Sequence, residues 1–498
     1  MLNIITPGII LYYVALSREC VLKMSNADDA AGYKISRYRA RILDGPIVAT
    51  MLWLAWPMIL AEIITISYNL IDAYWLGKLG KEAFGAPTVS WPMIMLFHSV
   101  GFGLTSAGVA IISQYHGAGD RETAEKSAGM LMAFSLIVGS VLMALGIAAS
   151  PLILSLIGIP EDIYPLAVSY SITIFAGEFI TILGFTFTTI ANSFGDTRTP
   201  TLYNAISAVT NIVLDPIMIF GLFGFPKLGV VGAALATIMS RSIVALAGIY
   251  YLFVKGFHGI KIRRKHLLIE KWWLKSIFRI GIPLSIQMSG NALGFTVMTS
   301  IVSRFGTVVV SAYGLAIRVI DIIQAFTWGL MRAVSIMIGQ NIGAENYSRA
   351  REIAKLSLIF VFTALLAGSI PIYLWRTQLI SFFIDDPEVI VVGSKLIEVF
   401  VWSIPFFGVF FIGNAIARGS GHTAAVTAIA LIRLWILRIG LSIVFAFVAG
   451  MGYLGVWIAM AISNIGAGVL TVSWISRWTW LERVVQVQVK HPRVHRTL

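Results

Sequence analysis

Stretches of twenty or more mostly apolar residues, parted by short polar breaks, recur from about residue 48 to residue 480. A helix needs about 20 such residues to cross a bilayer, and inside lipid every backbone N–H and C=O must be paired within the protein. The composition agrees: 58% of the 498 residues are hydrophobic and only 12% charged, against about 25% charged in soluble domains. No ten-residue alternation of the β-barrel kind is present. The expected fold is therefore an all-α polytopic membrane protein of about twelve transmembrane helices. Their approximate limits are 48–76, 84–116, 123–151, 163–194, 198–221 and 227–255, then 271–303, 310–342, 349–376, 388–420, 424–449 and 453–480. Residues 1–24 hold an apolar run of about 15 residues broken by Pro7, too short to span. Its readings are a signal-like segment, an interfacial helix, or translated sequence ahead of Met24.

Charge orients these spans. The net charge of +13 could point to nucleic acid, but the lysines and arginines gather in alternate connections. They lie in the N-terminal segment, at Arg121 and Lys126, around Arg198, in 255–279, at Arg349, Arg351, Lys355 and Arg418, and after Arg477. By the positive-inside rule both termini are cytoplasmic in a cell membrane, and no nucleic-acid partner is expected. The single Cys20 excludes an intramolecular disulfide and has no metal-ligand spacing. The chain then divides into a cytoplasmic segment 1–47, a first lobe 48–255, a linker 256–270, a second lobe 271–480 and a basic tail 481–498. The basic and aromatic connection 256–275 suits a helix lying on the anionic inner leaflet.

The two lobes repeat one another at a constant shift of 226 residues. Pro57 answers Pro283, Gln114 answers Gln340, Gly117-Ala118 answers Gly343-Ala344, and Leu228-Gly229-Val230 answers Leu454-Gly455-Val456. Six spans per half is an even number, so both halves keep one orientation. They are expected to be related by a pseudo-twofold along the membrane normal, with substrate held between them. A bundle of two such lobes can rock to open either face.

The acids break that symmetry. Asp72, Glu178 and Asp215 lie within first-lobe spans, and the shift turns them into Met298, Ile404 and Leu441. A carboxylate at bilayer depth costs about 2.5–3.5 kcal/mol even on the lenient scale. Asp215 stands four residues after Asn211, on one helical face, and directly before Pro216, which removes a backbone donor. At about 1.5 Å rise per residue, Asp72 and Asp215 both fall in the outer half of the membrane and Glu178 nearer the middle. An acid beside a proline-broken helix is a functional-site candidate, so ion coupling is assigned to the first lobe, with Pro216 as a hinge. The bland readings are a hydrogen-bonded acid capping a kink for Asp215, an interfacial acid for Asp72, and a protonated structural acid for Glu178.

These residues resemble the multidrug and toxic compound extrusion (MATE) transporters, in particular the archaeal and bacterial branch similar to DinF, over about residues 48–480. The likeness rests on the two six-helix lobes, on WPMILAEIITISYNLIDAYWLGKLG in the first span, on the Gly-Ala ends of the second and eighth spans, and on NIVLDPIMIFG followed by LGVVGAALAT. It implies export of amphipathic, often cationic drugs by alternating access, driven by entry of H⁺ or Na⁺, with no other cofactor. It further implies a first-lobe cation site with Asp72 and Asp215 as its carboxylates and Asn211 as an adjacent ligand, which would also be the Na⁺ ligands. Tyr68 and Thr237 would complete the site, and Pro57 would be a bend that changes with protonation. The partners would be small organic molecules and membrane lipids, and the protein a monomer.

Other residues have quieter expectations. Glu62, one turn beyond Pro57, would satisfy backbone groups freed there. Arg318 and Asp321 would pair on one helical face, with Arg332 structural or gating beside them. Arg433 and Arg438 would snorkel or line the cavity. Trp53, Trp56, Trp91, Trp272 and Trp273 would form an interfacial belt. Met288, Met298, Phe326 and Met331 would pack or line a pliable drug site. A lipid-linked sugar flippase is the alternative within transport, and it would want a basic cavity to which few arginines can be assigned from sequence. No GxxxxGK[ST] or HExxH motif occurs, which speaks against an ATP-driven pump or metalloprotease, and no enzymatic activity is expected.

Overall fold

The computed structural model describes residues 37–257 and 260–485, without the side chains of 319–325. The apolar run near the N-terminus, most of the basic tail and the Arg318–Asp321 pairing lie outside the described residues. Among the described residues the only β-type contact is an isolated bridge between Phe257 and Ile260. All else is helix and connection.

Six long helices make the first lobe: α1 (Ile47–Leu79), α2 (Lys81–Gly117), α3 (Arg121–Ile157), α4 (Tyr164–Ala176 continued by Glu178–Ser193), α5 (Arg198–Phe220) and α6 (Val230–Lys255). The second lobe holds α7 (Lys271–Ser303), α8 (Thr307–Gly343), α9 (Tyr347–Leu374), α10 (Pro387–Ser420), α11 (Thr423–Val448) and α12 (Gly452–Ile475). Among the described residues nine of these are individually long and apolar enough to span, or ten with the two segments of α4, which meet at 48°. The remaining two, α7 and α8, are 33 and 37 residues long. They answer α1 and α2 in the repeat.

Local chemistry repeats with the helices. Helices α2 and α8 begin and end 226 residues apart. The Asp120 side chain accepts the Thr123 amide at the start of α3, and Asn346 accepts the Arg349 amide at the start of α9. Each closes a donor that the first helical turn leaves unpaired. Thr201 donates its hydroxyl to the Pro57 carbonyl at 3.1 Å, and Thr427 does the same to Pro283 at 2.9 Å. Both proline helices are thus clamped by the fifth helix of their own lobe.

The lobes exchange helices where they meet. Helix α7 packs along α2, and α8 along α1. The first half of α1, from Ile47 to Met58, is buried in the second lobe's core. Trp273, Ile277, Ile280 and Leu284 of α7 are buried in the first lobe's core. Trp273 is therefore a core residue and not part of an interfacial belt, whereas Trp56, Trp91 and Trp272 are exposed. At the end where Arg39 and Arg483 lie, the tips of α2 and α8 touch without room for a side chain. A Cβ on Gly117 would lie 2.0 Å from the Gln340 carbonyl oxygen, and one on Gly343 1.9 Å from that of Gln114. Gln114 Nε2 donates to the Gly419 and Ser420 carbonyls, and Gln340 Nε2 to that of Ser193. Arg39 and Arg483 donate to the last carbonyls of α2 and α8 respectively.

The linker departs from expectation. Its described residues form no surface helix, only one short turn at Arg264–Leu267, and Phe257, Ile260, Ile262 and His266 are buried against the first lobe. Glu270 meets Lys126 at 2.6 Å and accepts the Trp272 indole N–H at 2.5 Å. Those two donors hold its carboxyl below the usual carboxylate range.

Candidate functional site

A cavity of about 340 Å³ opens between the lobes. All first-lobe helices except α3 contribute to it, and the second lobe closes it with Met288, Trp328, Arg332 and Arg418. Tyr68 (α1), Asn211 (α5) and Thr237 (α6) stand on its wall. Asp72 and Asp215 are not among the lining residues, but each follows one by four residues, Tyr68 and Asn211, on the same helix.

Helix α5 places the acid and amide together. Asp196 starts it by accepting the Arg198 and Thr199 amides at 3.0 Å. The helix runs through Pro216 and stops at Gly221, whose φ of 75° an L side chain seldom takes. Four residues is one turn, so Asn211 Nδ2 reaches Asp215 Oδ1 at 3.2 Å. Asp215 is fully buried and Asn211 nearly so. Asp72 of α1 is close enough to Asp215 for their charges to act on one another. Tyr170 of α4 lies within electrostatic reach of both, and of Tyr68 and Arg241. Three buried oxygens of this group have no hydrogen-bond partner: Asp72 Oδ1, Asn211 Oδ1 and Asp215 Oδ2. Buried polar atoms are nearly always paired, so three such acceptors together have the chemistry to receive a proton or a small hard cation. Among the described residues no three His, Cys, Asp or Glu gather into a metal cluster. The donor set is two carboxylates and an amide.

Glu178 reaches this group through Arg241 of α6, on which it acts electrostatically. It begins the second segment of α4, directly after the bend at Gly177, and is fully buried. Its Oε2 lies 2.8 Å from His98 Nε2 of α2, while its Oε1 has no partner. Neither residue lines the cavity.

Several side chains went unread or misread in the sequence. Arg241 of α6 was not singled out, yet it reaches Thr181 and Tyr68 at 3.4 Å and acts electrostatically on Asp72. Its signal was one guanidinium within the otherwise apolar run 230–249. His98 had no signal, since its partner is 80 residues away. Glu62 bonds no backbone; it pairs with Arg332 at 2.5 Å and so ties α1 to α8. Arg433 and Arg438 neither snorkel nor line the cavity. Arg433 is buried under the Phe407 and Phe410 rings, and Arg438 donates to Ser463 and Asn464. Of the pliable residues named above, Met288 lines the cavity, Met331 a smaller chamber beside it, and Met298 the core.

Two pseudo-symmetric six-helix lobes around one central cavity, with Asp72 and the fully buried Glu178 and Asp215 in the first lobe, define a two-lobed multi-pass membrane transporter. The family is shown by comparison. The MatE family model matches residues 57–217 and again 283–444, two matches that begin 226 residues apart, and the chain belongs to this family, that of multidrug and toxic compound extrusion. It is 30% identical over 406 residues to the probable multidrug resistance protein YoeA of Bacillus subtilis (strain 168), covering 81% of this chain and 88% of that one. It is also 30% identical over 423 residues to the probable multidrug resistance protein YpnP of the same organism, covering 84% and 92%. Its fold matches a MOP-superfamily transporter from Pyrococcus furiosus with a TM-score of 0.81 and 25% identity, over 89% of this chain and 98% of that one. Reverse polarity of the binding pocket suggests a different function for that protein.

Proposed function

We propose that this protein is a secondary active exporter of amphipathic small molecules, driven by H⁺ or Na⁺ entering at Asp72, Asn211 and Asp215. The observation that carries this reading is the trio of buried oxygens on Asp72, Asn211 and Asp215, unpartnered among the described residues, with Asn211 itself lining the central cavity. A buried carboxylate oxygen without a donor is costly, and a proton or cation removes that cost. Tyr68 and Thr237 supply further oxygens on the cavity side. The protein works as a monomer in the plasma membrane with both termini cytoplasmic, and it catalyses no covalent step.

The packed tips of α2 and α8 stand on the basic, cytoplasmic side, so the state described here is sealed inward. Coupling requires that cation and cargo favour different states or compete for one group. Neutralising Asp215 removes the charge that Asn211 and the cavity wall are arranged around. Pro57, held by Thr201, lies on the same helix as Asp72, and this joins the cation site to the segment of α1 that packs on the second lobe. The cavity volume falls at the lower end of the range of about 300–1,000 Å³ typical of drug pockets. The flippase alternative asked for a basic cavity, and Arg241, Arg332 and Arg418 against Glu62 meet that request, but a lipid-linked oligosaccharide is larger than this volume, which favours the exporter reading.

The test is dye efflux by purified protein in liposomes under an imposed pH gradient and, separately, an imposed Na⁺ gradient. Efflux under one gradient, lost in Asp215→Asn with folding intact, is expected. Wild-type efflux in that variant would overturn the coupling role.

A further inference from the structure

The cavity wall carries more cationic than anionic side chains. Its ionisable lining is Arg241, Arg332, Arg418 and one carboxylate, Glu62. Two of the three guanidiniums are accounted for. Arg332 is held by Glu62. Arg241 is held by Tyr68 and Thr181 and faces Asp72. Among the described residues Arg418, in the last turn of α10, has neither a hydrogen bond nor an ion pair, and its Nε is buried without a partner. It also lies within repulsive reach of Arg332. The carbonyl end of α10 favours a cation there, but a helix terminus offsets only a fraction of what burying an unpaired guanidinium costs.

Around Arg418 the floor continues into a smaller chamber, shared by Ser106, Phe185, Thr188, Arg332 and Arg418 and extended by Thr189, Asn192 and Ser335. Ser335 has a buried hydroxyl without a partner. A guanidinium without a partner among the described residues, in a chamber that also holds serine, threonine and asparagine side chains, is a receptor for an oxyanion, since the planar fork of arginine matches carboxylate and phosphate. Above it the cavity presents Phe102, Phe185, Trp328 and Met288, flat and polarizable surfaces suited to a ring system.

We propose that the floor of the central cavity is an anion-binding subsite centred on Arg418, and that the cargo class is an aromatic amphiphile bearing a carboxylate or phosphate group. This rests on the export reading above and narrows it: the anionic group pairs with Arg418, and the rings lie against Phe102, Phe185 and Trp328.

The test uses two dyes that share a xanthene ring system, anionic carboxyfluorescein and cationic rhodamine 123, with the purified full chain. Binding is read by fluorescence anisotropy in detergent and needs no gradient. Wild-type protein is expected to prefer carboxyfluorescein, and Arg418→Gln to lower the ratio of the two affinities by about tenfold, as loss of a charge-assisted pair does. Arg418→Lys should recover part of that ratio. Should Arg418→Gln fail to fold, Glu62→Gln is the second variant; by freeing Arg332 it should tighten carboxyfluorescein binding. A wild-type preference for rhodamine 123, or an unchanged ratio in a folded Arg418→Gln, or no tightening in Glu62→Gln, overturns the inference. If rhodamine 123 alone is bound and carried in liposomes, export stands and the anion subsite falls. If a gradient moves neither dye, the export reading itself fails.

Discussion

Gly343→Ala adds one methyl group where the two lobes seal, and its consequence can be worked from the structure. The new Cβ would sit 1.9 Å from the Gln114 carbonyl oxygen, whereas ordinary contact begins at 3.4 Å. The obstacle is backbone on both sides, so no rotamer change relieves it, and the tips of α2 and α8 must part by about 1.5 Å. That displacement stretches the Gln114 bonds to Gly419 and Ser420, now 3.2 and 3.0 Å, and the Gln340 bond to Ser193, now 2.9 Å, beyond hydrogen-bonding range. Three bonds at a net of about 1 kcal/mol each amount to about 3 kcal/mol against the sealed state, roughly a hundredfold in its population. Spin labels at Glu122→Cys and Ser348→Cys, exposed positions related by the repeat, in a Cys20→Ser background, report the separation. A longer distance and slowed export are expected. Gly314→Ala on the same helix is the control, because a Cβ there meets nothing within 4 Å. A distance distribution matching the parent, with export retained in Gly343→Ala, would refute the reasoning.

The clamp on the first proline helix is open to a smaller change: Thr201→Val keeps the shape but withdraws the hydroxyl from the Pro57 carbonyl. It should lower stability in thermal unfolding by about 1–2 kcal/mol, and an unchanged midpoint would show that the bond contributes nothing. The Glu62–Arg332 pair is only half-buried, so a double-mutant cycle with Glu62→Gln and Arg332→Gln should return a coupling of about 1 kcal/mol, and strict additivity would mean the lobes are not tied there.

How far the sequence reached depended on whether a property is local. Apolar length, loop charge and the constant shift of 226 residues are carried by the chain itself, so the sequence determined a bundle of about twelve helices in two equivalent lobes, and the family model matches in that same register. It also determined that Asn211 and Asp215 meet, because four residues make one helical turn. What lies across a helix interface depends on the rotation and tilt of both helices, which no local pattern records. Tertiary structure alone therefore gave Glu62 to Arg332, His98 to Glu178, and Arg241 to Tyr68. It also placed Trp273 in the core of the opposite lobe, because α7 crosses over to pack on α2. The same crossing helices set Arg418 free on the cavity floor. As a basic residue near a helix end it was indistinguishable in sequence from a topology signal, and only the packing of α2, α4, α8 and α10 around it decided that it faces the cavity without a partner.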